Sequence, residues 1–214
     1  VMSVPTTGPI LLRALDTENR VVQRNAAELM YEIGPSAAPE LLTLLKTGNR
    51  DQQIGAGMVL EICEDIRESI KPELMSLLDD PDLDLRFFAA MALFQQEDDD
   101  AKVIRAIVAV LQNGRQEQKI DVCKLIAQKD LRDDSVDKAL LQILRHDDNV
   151  VMRRLAGETL FSIHQGVNSW LRHDSEYKIM SDVLINETDE VALKNALACA
   201  ESLCPAFFPY LLPM

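Results

Sequence analysis

The chain has 214 residues, with 35 acidic against 22 basic side chains and a net charge of −13, so it lacks the cationic surface that draws proteins to nucleic acid phosphates. It holds no apolar run long enough to span a membrane, and its N-terminus lacks the basic segment and apolar core of a signal peptide. Aromatic residues make up only 5 % and glycine is scarce, while Leu, Ala, Ile, Val and Met recur at helical spacing, which points to an all-α protein.

In chain order, residues 9–15 read as a helix that Pro9 opens and the polar turn Asp16-Thr-Glu-Asn closes, followed by a second helix over 20–33. The same pairing recurs at 36–46 with 51–65, 69–79 with 83–96, 100–112 with 116–129, 134–145 with 149–164, and 175–185 with 189–203. Pro9, Pro39, Pro72 and Pro209 each precede an apolar pair, as expected in the first turn of a helix, where a missing N–H costs nothing. The turns Thr47-Gly-Asn-Arg, Asp80-Pro-Asp and Gln112-Asn-Gly-Arg suit helix N-caps. Aligning Leu15, Leu45, Leu78, Leu111, Leu144 and Leu184 gives spacings of 30, 33, 33, 33 and 40 residues. Twelve residues after each stands a small one: Ala27, Gly57, Ala90, Cys123, Ala156 and Ala196. Such a column implies helices that cross too closely for a large side chain, and such a period implies stacked repeats. The surplus before Leu184 falls in residues 166–174 around Trp170, which reads as a cover for a wider inter-repeat gap or as a loop that binds. Pro209 opens a seventh copy whose anchor would fall just past the last residue, so the sequence is expected to be a fragment of a longer protein.

Leu77, Leu78, the Asp80-Pro81 turn, Leu85-Arg86, Ala89-Ala90 and Leu93 resemble the HEAT-repeat family, in particular the short HEAT-like type of phycobilisome lyase relatives. Val22 with Ala26-Ala27, and Val151 with Arg153 and Ala156, match in part, whereas Gln52-Gln53 stands where the family prefers an apolar-Arg step. The resemblance implies a right-handed α-α superhelix of about six helical hairpins plus the start of a seventh. It implies one continuous array over residues 1–214, with second helices lining a concave binding face.

Catalytic versions of the fold set a useful contrast. HEAT-like hydroxylases hold iron through His-Glu pairs, but His146, His164 and His173 are not followed by Glu, and no nucleophile elbow, phosphate loop or HExxH is present. Arg145, Arg153, Arg154 and Arg172 form the one local basic concentration and read as a solvated face. Cys63, Cys123, Cys199 and Cys204 show no paired framework and read as reduced, buried thiols in a cytoplasmic setting. The expected function is a non-catalytic protein-interaction scaffold without cofactor or metal; the alternative is a HEAT-like enzyme or a lyase-type chaperone acting on a cofactor-bearing protein.

Positions nine, thirteen and sixteen after the anchor leucine fall on the helix side away from the small-residue column. They are Ile54, Met58 and Glu61 in the second copy and Phe87, Met91 and Phe94 in the third. These residues are the expected floor of a concave face that takes an amphipathic helix or peptide. With a phase shift of one residue they would instead pack between repeats. Glu64, Asp65, Glu97, Asp98, Asp99 and Asp100 form an expected acidic rim, favouring a basic partner, or serve as solvated loop and helix-start charge. Protein or peptide partners and self-association are expected; nucleic acid and membrane are not.

Overall fold

The computed structural model describes residues 10–94, 100–164 and 186–203, and every regular element among them is a helix. The chain divides into two compact units, Val1–Ala106 and Ile107–Met214. After a helical stretch at 10–14, the first unit holds α1 (Arg20–Met30), a 3-10 turn (Gly34–Ala37), α2 (Ala38–Thr47), α3 (Arg50–Ile62), α4 (Glu64–Ser69), α5 (Lys71–Leu77) and α6 (Leu83–Leu93). Helix α7 (Ala101–Asn113) carries the division; α8 (Gln116–Lys129), α9 (Asp134–His146), α10 (Val150–His164) and α11 (Glu190–Leu203) follow. In the first unit α2 packs on α3 and α5 on α6, and α3 lies between α1 and α6. In the second, α9 packs on α10, which also packs on α8 and α11.

Local chemistry sets the helix starts. Asn19 caps α1 by accepting from the Val21 and Val22 N–H groups, and Asn49 with Gln52 forms a reciprocal capping box on α3. Asp82 and Asp133 cap α6 and α9, while Pro39 and Pro72 occupy first turns. All five described anchors, Leu15, Leu45, Leu78, Leu111 and Leu144, are buried, as are all six small residues of the column. Leu184, Pro9, Pro209, the expected helix over 175–185, Trp170, Arg172, His173 and Cys204 lie outside the described residues.

The repeats are tied by polar side chains as well as by packing. Gln23, fully buried, donates from Nε2 to the Leu15 carbonyl at 2.8 Å and to the Asp51 carbonyl of the next repeat at 2.8 Å. Gln53, at the same offset, donates to the Leu45 carbonyl at 3.0 Å. A glutamine eight residues after the anchor leucine thus satisfies a C-terminal carbonyl of the preceding helix in both repeats. The expected helix over 51–65 is interrupted at Cys63, whose backbone is extended (φ −98°, ψ 92°) and whose thiol donates to the Ala27 carbonyl. Beyond the break Arg67 folds back, buried, and donates from Nη1 to the Leu60 carbonyl at 2.7 Å, closing the end of α3. Burial pushes the Cys63 thiol above its usual range and the Cys123 thiol up to about 12, so both stay protonated at neutral pH.

Close approach is most explicit in α3. A Cβ at Gly55 would lie 2.7 Å from Leu15 Cβ and 2.9 Å from its carbonyl oxygen, on the side of the first repeat; at Gly57 it would lie 2.8 Å from Phe88 Cδ1, on the side of the third. These glycines weaken the helix intrinsically, by about 0.5–1 kcal/mol each, and in exchange they admit a neighbour on either side. Gly55→Ala is therefore expected to destabilise, since the backbone of Leu15 cannot yield as a side-chain tip could. The overpacking cost of about 1–3 kcal/mol exceeds the propensity gain of about 1 kcal/mol. Urea unfolding followed by circular dichroism checks this, and a higher midpoint for the variant would refute it.

Candidate interaction surface

In the first unit α1, α3 and α6 present the same offsets side by side. On α1 these are Arg24, Glu28 and Tyr31, all exposed. On α3, Ile54 and Met58 are half-buried, Glu61 is exposed and Ile62 beside it is 39 % exposed. On α6 the row closes: Met91 is half-buried, Phe87 is buried and Phe94 is fully buried. Phe87 and Phe94 are thus core residues and not the open floor that their offsets imply. The reason is the composition of α6, which is apolar nearly all round and so is buried nearly all round. Phe87 also meets the ring of Phe88 edge to face, 5.1 Å between centroids, while Phe88 occupies the space opened by Gly57. The structure therefore leaves Ile54, Met58 and Met91 as a partly open apolar row, with Glu61 at its edge.

The acidic residues have local work. Glu64 and Asp65 are exposed in the first turn of α4, where negative charge suits the helix dipole. Asp100 is half-buried and accepts from the Lys102 N–H at 2.7 Å at the start of α7. Glu97, Asp98 and Asp99 lie outside the described residues.

In the second unit a polar cavity of about 500 Å³ opens between residues 144–148 and 186–188, with Arg153 in its wall. Arg153 reaches Glu187 through both carboxylate oxygens, at 2.7 and 3.0 Å, and donates to the Asp147 carbonyl at 3.1 Å. Arg154 holds Asp189 in the same two-bond manner, at 2.8 and 2.6 Å. The Asp147 carboxylate meets Lys119 at 3.4 Å. Arg153 and Arg154 accordingly form forked ion pairs instead of the solvated basic face expected of them. The acids that take them stand 34 and 35 residues later, about one repeat on, which is the signal by which sequence could have paired them. His146 is exposed at the end of α9, and among the described residues no three His, Cys, Asp or Glu side chains converge as metal ligands.

Burial pushes the Glu187 carboxyl upward, but the Arg153 guanidinium and the backbone N–H of Asp189 outweigh it and hold the group below its usual range. Asp189 is held well below its own range by Arg154 first and then by the N–H of Ala192, whose helix it caps.

No protein-family model and no curated protein matches the chain. Among solved structures it is similar to a designed armadillo repeat protein, at 17 % identity and TM-score 0.49, over 91 % of this chain and 99 % of that one. It is also similar to another engineered protein, at 18 % identity and TM-score 0.47, over 91 % of this chain and 57 % of that one. The paired helices and their buried columns define an all-α helical repeat protein. Among the described residues no helix is long and apolar enough to cross a membrane.

A carboxylate whose folded pKa is depressed stabilises the fold above its unfolded pKa, about 3.9 for Asp, and loses that contribution as the pH falls below it. Asp189→Asn keeps a capping side chain but removes the ionised partner of Arg154. Its stability is expected to lie below wild type at neutral pH and to converge with it in acid. Paired urea titrations at pH 7 and pH 3 check this; a constant difference between them would show that the ion pair contributes nothing.

Proposed function

We propose that the chain is a non-catalytic interaction scaffold, one continuous array of short HEAT-type repeats over residues 1–214, working in the cytoplasm. It takes an amphipathic helix or peptide of basic character on the concave face formed by its second helices. The observation that carries this reading is the row Ile54, Met58 and Met91, apolar side chains left half-open on adjacent helices, each worth more when covered than when wet. Flexible methionines adapt to varied apolar faces. Phe87 and Phe94 take part from beneath, by fixing the helix that presents Met91. Glu61, Glu64, Asp65, Glu97, Asp98, Asp99 and Asp100 supply the acidic rim, which speeds encounter with a basic partner at low salt.

Selection from a displayed library of helical peptides tests the reading. Enriched sequences are expected to be basic and amphipathic, and to lose about tenfold or more in affinity for Met58→Glu/Met91→Glu, with circular dichroism unchanged. Phe94→Glu, by contrast, is expected to unfold the first unit, because it places a charge in the core. Peptides that bind the double variant as well as they bind wild type would exclude this face.

A further inference from the structure

The half-open row is built largely from the one apolar side chain that oxidants readily change. Five methionines lie among the described residues: Met30 and Met152 are buried, whereas Met58, Met75 and Met91 are half-buried. Met58 stays half-open although α3 has a helix on each side, α1 and α6, so its exposure belongs to the interior of the stack. Met58 and Met91 hold two of the three places in the apolar row, while Met75 stands on α5, a first helix, outside it. The described cysteines are placed the opposite way. Cys63 and Cys123 are buried, and burial keeps both thiols protonated, whereas it is the thiolate that an oxidant attacks. A thioether has no proton to lose, so its oxidation follows access to the sulfur.

We propose that Met58 and Met91 are sites at which a peroxide modifies this chain, and that their sulfoxides close the apolar row to its partner while the fold persists. The proposal rests on the row being the docking face. The sulfur lone pair attacks one oxygen of hydrogen peroxide and the O–O bond breaks. That oxygen stays on sulfur, and the other leaves as water with both hydrogens. Sulfur is thereby oxidised by two electrons and the peroxide reduced by two. The product exchanges a flexible apolar tip for one that carries a polar acceptor. An amphipathic helix laid over the row covers that oxygen with apolar side chains that offer no donor, which costs free energy. With the row uncovered, the same oxygen turns to water, since both side chains are half-open. At Met30, which is fully buried, no such escape exists, and a sulfoxide there disrupts the core. Exposure therefore directs the modification to positions where it alters binding before it alters folding. Methionine sulfoxide reductases reverse it.

Graded hydrogen peroxide treatment of the 214-residue chain tests the proposal, read by mass-spectrometric peptide mapping and by binding of a probe. The probe is a synthetic, methionine-free helix of Leu, Ala and Lys whose leucines share one face. Met58 and Met91 are expected to gain oxygen at least about tenfold faster than Met30 and Met152, with helical circular dichroism unchanged. Affinity for the probe is expected to fall about tenfold as they do, and to return after treatment with methionine sulfoxide reductases. Met75→Leu is expected to show the same fall. Met58→Leu/Met91→Leu, compared with itself before and after peroxide, is expected to show none. Oxidation of Met30 or Met152 in step with Met58 and Met91 overturns the proposal, as does loss of helicity while the pair oxidises. So does an affinity that the sulfoxides leave untouched, or a fall that replacing the pair does not abolish. An untreated chain that does not bind the probe marks a different failure, that of the docking face and the switch with it; mapping needs no probe and still decides which methionines are oxidised.

Discussion

The constraint on which the rest of the structure depends is how closely the helices of neighbouring repeats approach one another. Gly55 and Gly57 show what it demands: one position faces a leucine of the repeat before, the other a phenylalanine of the repeat after, and neither leaves room for a Cβ. At the other column positions alanine or cysteine suffices, all of them buried. No single hairpin in such a design encloses its own core, because each apolar face is completed by the next hairpin. The polar ties follow the same rule. Gln23 spans from the end of its own first helix to the start of the next second helix, so one amide joins two repeats. A buried carbonyl left without that donor would cost about 1–3 kcal/mol, which makes the glutamine a structural member of the stack.

The column was legible because it rests on period alone. Leu15, Leu45, Leu78, Leu111 and Leu144 need only regular spacing to be recognised, and spacing survives when individual residues drift. Helix starts were legible for a related reason, since Asn49 with Gln52 and Pro39 act locally. The interruption at Cys63 was not. Nothing between Glu61 and Asp65 is a poor helix former in the manner of Pro or Gly. The break is fixed from outside the segment, by the Ala27 carbonyl that receives the Cys63 thiol and by Arg67 returning over the end of α3. Contacts of that sort depend on residues brought together only after folding.

The open face was half legible. The offsets fall on exposed or half-buried positions of α1 and α3, whose burial is one-sided, and on mostly buried positions of α6, whose burial is not. A helix with a strong apolar asymmetry declares which side meets water; one that is apolar nearly all round, as Leu83–Leu93 is, declares only that it is covered. The degree of cover at Phe87, Met91 and Phe94 then depends on neighbours, and the result grades from open on α1 to closed on α6.

The charges carry the same lesson at longer range. Arg153 and Arg154 stand together in sequence and suggest a basic patch, yet each is held in a forked pair by an acid about one repeat later. Lys119 and Asp147 pair across a similar interval. These pairs join neighbouring repeats and consume local positive charge, so the second unit offers less cationic surface than its sequence suggests. Because Asp189 also caps α11, its charge both orients the helix start and fastens it to α10. One carboxylate thereby couples the helix it begins to the helix it packs against, and in a stack held together by nearest neighbours such a residue acts on two adjacent elements at once.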